Sequence, residues 1–526
     1  MKKELLVKKS DLSIPIALDG KETVLSIYLQ DEAPVSSAGE NRQKIMEFLV
    51  PVRECGDEES YSCDYFAPIP VKQFTGKTLI LEGDVPRAFL ERAEITAHKK
   101  AGALERPSIH FTPERGWMND PNGLLFHKGR YHLYFQYNPF HIIWNNMSWG
   151  HAVSTDLLHW TQQDSVLFPD ENGLMFSGSG IRNERSLLDL PKDALLFYYT
   201  AAGGAASFSR EAPYTQRLAY SLDGGNTFIK TDRGRVEMIC KENRDPKLFW
   251  HEESRAYVMC LWLEKNDFGI LRSADLETWT LSQRLTLESA WECPDLLRVP
   301  VEGGEKQWIF WSADGFYYMG EFDGYTFRTD GRKKEAYATK LPYAAQTFAG
   351  IADRIISVVW LRTENAGRLY RGAMGLPVEL IFVKTPEGLA LSKRPVREYE
   401  EQKRLYFEKT AELLSAEEQT IFCRLPQNGA FELQTKNGLG SDHKLCWLLG
   451  TDEVSYDSES GEFTFIDQTV LLEKEIGDFS FLVDDTIFEV FANRGIIYAA
   501  FELERPIAGK NARITGAVQV RVFNGA

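Results

Sequence analysis

The sequence predicts an all-β protein, and three observations carry this prediction. Aromatic residues, which favour strands, make up 12% of the 526 residues. Short runs that alternate apolar and polar residues recur along the chain, separated by polar turn residues. A short segment that begins Ser-x-Asp repeats in the middle of the chain at a spacing typical of propeller blades. The length predicts roughly three domains.

The first domain is predicted as a small β domain over residues 1–104. Alternating runs at Leu12–Ile16, Thr23–Leu29 and Lys77–Gly83 read as its strands. It carries no combination of residues to which chemistry can be assigned from the sequence.

The second domain, residues 105–384, is predicted as a β-propeller from its repeat. Ser154–Thr161 recurs as Ser273–Thr280, with five matched positions, and in weaker form as Ser221–Phe228. The starting points are about 67 and 52 residues apart, about the length of one four-stranded blade. Coincidence between unrelated hairpins is the alternative, and the five matches argue against it. Three copies do not fix the number of blades.

The remainder of the chain is predicted as a linker over residues 385–407 and a β-sandwich over residues 408–526. Glu398–Arg404 is charged and helix-prone, which favours a linker. Alternating strands follow it. The best of them are Phe479–Val483, Ile487–Phe491 and Val518–Val522.

Charge and cysteine content exclude several classes of function. A net charge of −16 argues against nucleic acid and anionic membrane surfaces as partners. The seven cysteines form no CxxC pair of the kind that binds metals, which favours reduced thiols. No apolar run at the start reads as a signal peptide and none approaches the length of a membrane span, so we expect a cytoplasmic protein.

One acidic residue, Asp120, lies in the segment Trp117–Gly123 between two aromatic-rich runs. The sequence Asn-Asp-Pro-Asn-Gly predicts a stiff turn. A carboxylate fixed among aromatic side chains suits a sugar site, because aromatic faces stack on sugar rings and the carboxylate can attack an anomeric carbon. A plain surface turn is the alternative.

Two further acidic residues stand in the repeat region. Asp245 lies in Arg244-Asp245-Pro246, predicted as a loop, where an ordinary turn with a surface ion pair is the alternative. Glu292 lies between a Trp and a Cys, an apolar setting that suits a general acid; a strand end with its carboxylate in water is the alternative. A propeller brings such segments to one end of its channel, and glycoside hydrolysis needs two carboxylates.

These motifs resemble glycoside hydrolase family 32, the β-fructosidases, which include invertases, inulinases and levanases. The resemblance covers roughly residues 107–526 and implies a five-bladed propeller followed by a β-sandwich. Residues 1–104 resemble, more weakly, the accessory β module of some bacterial fructanases. The motifs, in chain order, are Trp117–Gly123, Phe135–Pro139, Trp149–Ser154, Phe176–Ser179, Arg244–Pro246, Glu292–Pro294, Tyr370–Met374, Val483–Asp485 and Glu489–Asn493.

The resemblance implies a role for each carboxylate. Asp120 would be the nucleophile, Glu292 the acid and then the base, and Asp245 the residue that holds ring hydroxyls and stabilises the transition state. Cys293 would modulate Glu292, and neither a metal nor an organic cofactor is implied. The residues implied to line the fructose pocket are Asn119, Gln136, Trp144, Phe176, Ser177, Arg244 and Trp360.

The resemblance also implies the reaction: a retaining, exo-acting hydrolase that releases terminal β-D-fructose from sucrose and short inulin- or levan-type fructans. Endo-levanase or fructosyltransferase activity at the same site, and non-catalytic fructan binding, are the alternatives. Phosphorylated sucrose would need a basic subsite that the sequence does not locate. Two departures from the family pattern, Val378 in place of Arg and Arg362 in a segment without a second Trp, are expected at the pocket rim.

Overall fold

The computed structural model confirms the all-β prediction. It describes residues 1–30, 42–54, 56, 60–97, 105–410, 420–437, 444–473 and 476–525. The helices within these ranges are short: the α-helices Arg87–Arg92 and Arg397–Gln402, and the 3-10 turns Lys72–Phe74 and Ser207–Ser209. The predicted boundary at residue 104 lies outside the described residues.

The N-terminal domain consists of two antiparallel sheets that pack around an apolar core. In spatial order, the first sheet contains Lys2–Leu6, Thr78–Gly83, Lys21–Gln30 and Arg42–Val52, and the second contains Tyr65–Pro70, Asp11–Ile16 and Glu94–Thr96. All three strands predicted for this region are present. Arg42–Val52 is an edge strand, paired within the sheet only with Lys21–Gln30 among the described strands.

The second domain is a five-bladed β-propeller. Each blade has four main strands in chain order; those of the first blade are Gly116–His127, Arg130–Asn138, Ser148–Ser154 and Thr161–Leu167, and those of the second are Leu174–Arg182, Leu195–Ala202, Tyr214–Ser221 and Ile229–Val236. The third blade contains Arg244–His251, Ala256–Glu264, Asp267–Ser273 and Thr280–Thr286, and the fourth contains Asp295–Pro300, Lys306–Trp311, Phe316–Phe322 and Phe327–Glu335. The fifth blade contains Pro342–Thr347, Ile356–Leu361, Val378–Thr385 and Gly388–Pro395.

Two short strands complete the ring. Ala373–Met374 pairs with the second strand of the fifth blade. Tyr370–Arg371 pairs in parallel with Gly116 and Trp117, at the start of the first blade. The propeller is therefore closed by a segment from the end of the domain that adds to its first strand.

The Ser-x-Asp repeat forms the turn between the third and fourth strands of a blade. In the first three blades the Ser hydroxyl donates to the Asp carboxylate, which accepts hydrogen bonds from backbone N–H groups further along the turn. Asp323 does the same in the fourth blade, accepting from Tyr325 and Thr326 at 2.8 Å each. The sequence comparison missed this copy because Glu321 replaces the Ser.

The C-terminal domain is a β-sandwich of two sheets around a second apolar core. In spatial order, the strands of the first sheet are Arg404–Thr410, Ala517–Asn524, Phe431–Asn437, Asp478–Asp484, Ile487–Ala492 and Ile497–Glu502. Those of the second sheet are Thr420–Arg424, Asn511–Thr515, Lys444–Leu449, Asp452–Asp457, Glu462–Phe465 and Gln468–Leu471.

The predicted linker, residues 385–407, differs in the structure. Gly388–Pro395 is the fourth strand of the fifth blade, and only the helix Arg397–Gln402 separates it from the sandwich. The charged run Glu398–Arg404 that favoured a linker lies mostly in this helix, whereas the strand before it contains the buried Lys393, whose ammonium group donates to the carbonyl oxygens of Leu391 and Ile496.

A buried histidine joins the propeller to the sandwich. His110 Nδ1 lies 3.0 Å from Asp484 Oδ2, and His110 Nε2 lies 2.8 Å from Glu489 Oε2. Burial disfavours the charged imidazole, but the two carboxylates raise the pKa of His110 to about 9. This arrangement explains two motifs of the sandwich, Val483–Asp485 and Glu489–Asn493, as residues that hold the two domains together.

We expect His110→Phe to lower the free energy of unfolding by about 3–5 kcal/mol near pH 6, because it leaves Asp484 and Glu489 buried without their cation. The interaction of protonated His110 with the two carboxylates stabilises the wild type fully below pH 6.5, and this stabilisation is lost as the pH rises through about 9. Thermal unfolding at pH 6, 7.5 and 9.5 should therefore show that the difference in thermal midpoint between wild type and variant becomes smaller as the pH rises. A difference that is constant with pH would contradict the charged state of His110.

Candidate active site

All ten residues predicted for the site line one cavity. Its volume is about 430 Å³, and it lies where the first strands of the blades begin. The predicted residues are Asn119, Asp120, Gln136, Trp144, Phe176, Ser177, Arg244, Asp245, Glu292 and Trp360, and the cavity also contains Met147, Tyr214, Glu242 and Tyr343.

Asp120 lies in a strand, which corrects the predicted turn. Gly116–His127 is the first strand of its blade, and its pairing with the second strand shifts register between Met118 and Pro121 and again between Asn122 and Leu125. The Pro and Gly residues that predicted a turn instead accompany β-bulges, which take a strand out of regular pairing and redirect its side chains. Gly123, with φ 51°, has no room for a Cβ beside Tyr134.

The first strands of other blades carry similar irregularities at the same end. Register shifts follow Phe176, Arg244 and Tyr343 in the second, third and fifth blades. Asp245 and Glu292 have φ of 63° and 49°, which non-glycine residues seldom adopt. The predicted loop around Asp245 is thus the start of a bulged strand. Strained backbone of this kind is found where side chains are aimed into a site.

Asp120 accepts hydrogen bonds from the side chains of Ser177 and Asn119, in addition to the thiol of Cys293 described below. Ser177 Oγ donates to Oδ2 at 2.7 Å, and Asn119 Nδ2 donates to Oδ1 at 3.2 Å. Asn119 is itself fixed, because its Oδ1 accepts from Trp117 Nε1 at 2.9 Å. Burial raises the pKa of Asp120, Ser177 opposes the shift, and the nearby charge of Glu292 adds to it.

The thiol of Cys293 connects Asp120 and Asp245. Its Sγ lies 3.7 Å from Asp120 Oδ2 and 3.6 Å from Asp245 Oδ2, and its backbone N–H donates to Asp245 Oδ2 at 3.2 Å. Burial and the neighbouring carboxylates raise the pKa of Cys293 well above its usual value, so it is a thiol and not a thiolate. The expected partner was Glu292, but the hydrogen bonds described for Cys293 go to the other two carboxylates.

Asp245 is nearly buried, with 7% of its surface exposed. Burial raises its pKa to about 7; the Arg244 guanidinium opposes this shift, whereas the carboxylates of Glu292 and Asp120 add to it. The folded protein therefore holds a proton on Asp245 at pH values where the unfolded chain has lost it.

This raised pKa has a consequence for stability, since the contribution of Asp245 to the free energy of unfolding falls as the pH rises from about 4 to about 7. Asn cannot ionise, so we expect Asp245→Asn to be more stable than wild type at pH 8, by about 1–3 kcal/mol, with the gain vanishing towards pH 4. Urea unfolding at pH 4, 6 and 8 measures this. Asp232→Asn, at an exposed carboxylate, is the control; an equal gain in both variants would contradict the assignment.

Glu292 is bound on both carboxylate oxygens, which corrects the apolar setting expected from its neighbours. Arg244 Nη2 donates to Oε1, and the hydroxyl of Tyr343 donates to Oε2 at 2.8 Å. Arg244 is held in turn by a cation–π contact, because its guanidinium lies 3.9 Å from the centre of the Trp262 ring. The side chain of Glu292 keeps 22% of its surface exposed, on the cavity side of these contacts.

Four residues of the cavity were missed in the sequence. Tyr343 lies near the start of the first strand of the fifth blade, beside Ala344 with φ 52°, so its position resembles that of Asp245 in the third blade. Sequence inspection for carboxylates had no reason to select it. Met147, Tyr214 and Glu242 lie on loops or strand ends whose approach to the cavity depends on the fold alone.

One of the two departures expected at the rim, Val378, lies elsewhere. Val378 lines a separate cavity between propeller and sandwich, together with Lys393 and Tyr498. Arg362 is exposed, and its guanidinium lies 4.6 Å from the centre of the ring of Tyr343, which lines the cavity. Val378 is therefore not a rim residue, whereas the place of Arg362 at the rim stays a prediction.

Neither a metal site nor a membrane span is evident in the part of the chain that the structure describes. Within those residues, no group of three or more His, Cys, Asp or Glu side chains is arranged to hold a metal ion. No helix there is long and apolar enough to cross a membrane.

Comparison with known proteins identifies the family. Residues 110–395, more than half of the chain, match the family model of the glycosyl hydrolases family 32 N-terminal domain. The chain belongs to this family. The matched region spans the five blades and includes every residue of the cavity.

Curated relatives carry the names of three kinds of family 32 protein. A levanase from Bacillus subtilis is 34% identical over 56% of this chain and 47% of its own length. An invertase from Debaryomyces hansenii is 36% identical over 51% and 54%, respectively. An extracellular exo-inulinase from Aspergillus niger is 32% identical over 55% and 64%. The chain thus spans about half to two thirds of the length of these relatives.

Solved structures of family 32 share the fold. A fructofuranosidase from Schwanniomyces occidentalis complexed with fructose matches with a TM-score of 0.69 and 24% identity, covering 80% of this chain and 98% of that one. A family 32 glycoside hydrolase from Bifidobacterium adolescentis matches with a TM-score of 0.66 and 19% identity, covering 100% and 99%. The second match extends over the N-terminal domain as well.

Proposed function

We propose that this protein is a retaining, exo-acting β-fructosidase that releases terminal β-D-fructose from sucrose and short fructans. The observation that carries the proposal is the meeting of Asp120, Asp245 and Glu292 in one cavity of about 430 Å³, a volume typical of pockets that enclose a small ligand. The names of the family 32 relatives support a β-fructoside as the substrate class.

The cavity has a closed floor, which favours removal of one terminal unit over cleavage within a polymer. Beneath the carboxylates, Lys247 Nζ lies 3.1 Å from Asp295 Oδ2 and donates to the carbonyl oxygen of Thr347 at 2.6 Å. These groups are buried, and the space that Lys247 lines together with Asp245 and Ser177 measures only about 10 Å³, too little for a sugar. A chain end can therefore enter from the open side only, with its terminal fructose at the bottom.

In the proposed mechanism, Asp120 attacks the anomeric carbon while Glu292 protonates the departing oxygen, which leaves a fructosyl-enzyme. Glu292 then takes a proton from the water that releases fructose. The donors Ser177 and Asn119 hold Asp120 in one orientation for attack. Arg244 and Tyr343 similarly fix Glu292 on the other side of the cavity.

The remaining cavity residues are assigned to substrate binding. Asp245 would accept hydrogen bonds from ring hydroxyls and stabilise the oxocarbenium-like transition state. Trp144, Phe176 and Trp360 offer aromatic faces for the sugar ring, and Gln136 offers an amide.

A time-resolved product profile tests the proposal. We expect free fructose from sucrose, inulin and levan from the first minutes, because each productive binding event removes one terminal unit. Chromatography of samples taken below about 5% conversion measures this. Early release of intermediate-length oligosaccharides would instead indicate endo-cleavage, longer products than the substrate would indicate transfer, and tight fructan binding without products would indicate a binding protein.

A further inference from the structure

The N-terminal domain contacts the propeller beside the active-site cavity. Its strand Arg42–Val52 is at the edge of its sheet and is paired on one side only among the described strands. The open side of an edge strand presents N–H and C=O groups that need partners. The N–H and C=O groups of Leu49 form hydrogen bonds with a residue of the propeller.

Asn146 binds this open edge. Leu49 N–H donates to Asn146 Oδ1 at 2.8 Å, and Asn146 Nδ2 donates to the Leu49 carbonyl oxygen at 2.8 Å. The side-chain amide thus pairs with the strand as a neighbouring strand would. Nδ2 also lies 3.1 Å from Asn138 Oδ1, which links the two ends of the intervening loop. Asn146 is 3% exposed and has φ 47°, a conformation that Asn tolerates.

The loop between Asn138 and Asn146 is further held by the core of the N-terminal domain. Phe140 is completely buried there, with its ring centre 4.5 Å from that of Phe48. The same loop carries Trp144, which is 49% exposed and forms part of the cavity wall. The orientation of Trp144 therefore depends on a loop that rests on another domain.

A second loop rests on the same edge strand. Glu47 accepts a hydrogen bond from Ser207, and Lys44 Nζ lies 5.2 Å from the centre of the Phe208 ring. A few residues further along the chain, Tyr214 lines the cavity.

These two loops flank a continuous row of rings. The Phe176 ring lies between those of Trp144 and Tyr214, with centres 6.0 Å from each. We call these three residues the aromatic wall. Both of its ends are thus attached to loops that the strand Arg42–Val52 supports.

We propose that the N-terminal domain positions the aromatic wall for substrate binding, with Asn146 and Glu47 as the positioning residues. The inference rests on the proposed function for the identity of the substrate. Among the described residues, no hydrogen bond or ion pair joins this domain to Asp120, Asp245 or Glu292. The wall therefore affects how well substrate is held and leaves the chemical step unchanged, so its loss raises KM more than it lowers kcat.

The test uses Asn146→Asp and Glu47→Gln in the full-length protein with sucrose as substrate. Asp is nearly isosteric with Asn and tolerates the same backbone conformation, but it sets a carboxylate against the Leu49 carbonyl oxygen. We expect each variant to raise KM about five- to tenfold and to change kcat less than about twofold. Amide hydrogen exchange should become faster over residues 138–147 in Asn146→Asp and over residues 203–214 in Glu47→Gln.

Lys3→Met is the matched control. Lys3 Nζ donates to the carbonyl oxygens of Leu90, Glu91 and Ala93, all within the N-terminal domain and away from the edge strand. Its KM should equal that of the wild type. Unchanged KM in both test variants, or an equal rise in Lys3→Met, would overturn the inference.

The wild-type measurement separates this inference from the proposed function. If the wild type hydrolyses none of sucrose, inulin and levan, the proposed function fails and the same variants are compared by calorimetry for the Kd of fructose. A weaker Kd in both variants, with the control unchanged, then supports positioning of the wall. An unchanged Kd, or a wild type that does not bind fructose, overturns it.

Discussion

Asp120→Ala is expected to abolish fructose release, lowering kcat by about 10⁴-fold or more while the fold survives. The carboxylate is the proposed nucleophile, and without it the fructosyl-enzyme cannot form. Its neighbours Ser177 and Asn119 are neutral hydrogen-bond donors that cannot replace it. Steady-state fructose release from sucrose measures the loss, and an unchanged thermal midpoint shows that the protein is folded.

A small external nucleophile distinguishes attack by Asp120 from mere charge stabilisation. The alanine side chain leaves space for azide at the position of the lost carboxylate. With an aryl β-fructofuranoside, whose leaving group needs little protonation, we expect azide to restore turnover and to give a fructosyl azide of inverted anomeric configuration. Near-wild-type hydrolysis of sucrose without azide would refute the nucleophile assignment.

Glu292→Gln is expected to show the second-largest effect, and this effect should depend on the leaving group. Glutamine cannot donate the proton that a departing sugar oxygen needs, so kcat on sucrose should fall by about 10²–10⁴-fold. With an aryl β-fructofuranoside, formation of the fructosyl-enzyme should be much less affected. Gln retains hydrogen-bonding groups for Arg244 and Tyr343, so their positions are preserved.

The comparison of two substrates in one variant is its own control, because a folding defect would slow both equally. Pre-steady-state kinetics with the aryl substrate should show a burst of released phenol followed by slow turnover, since Glu292 is also the base for the second step. Equal losses on sucrose and on the aryl substrate would remove Glu292 from the role of general acid.

The three site carboxylates could be found in the sequence because glycoside hydrolysis requires more than one carboxylate, and these lie on separate segments. Asp120, Asp245 and Glu292 could be selected from the sequence, together with the aromatic and polar residues of the family motifs. Their local structure could not. Asn-Asp-Pro-Asn-Gly favours a turn by composition, but pairing with Arg130–Asn138 holds it in an extended, bulged conformation, and Tyr370–Arg371 pairs with the start of the same strand.

Site and core residues whose roles depend on the fold could not be identified from the sequence. Tyr343 became recognisable only when its strand took the same place in the fifth blade as the strands of Asp120 and Asp245 in the first and third. Lys393 and the strand around it read as part of a charged linker, because burial of an ammonium group among carbonyl oxygens leaves no trace in composition. The reliable predictions were therefore periodic patterns and charged chemistry, while local backbone geometry and long-range contacts required the fold.

The parallel pairing of Tyr370–Arg371 with the start of the strand that carries Asp120 also governs when the site can form. This strand is made early in synthesis, yet one of its flanking partners is made some 250 residues later, and joining such distant segments is slow because a long loop must close. A nascent chain that ends before the fifth blade leaves the Asp120 strand with an open edge. The strand that carries Asp120 therefore has all its described neighbours only after the fifth blade has been made.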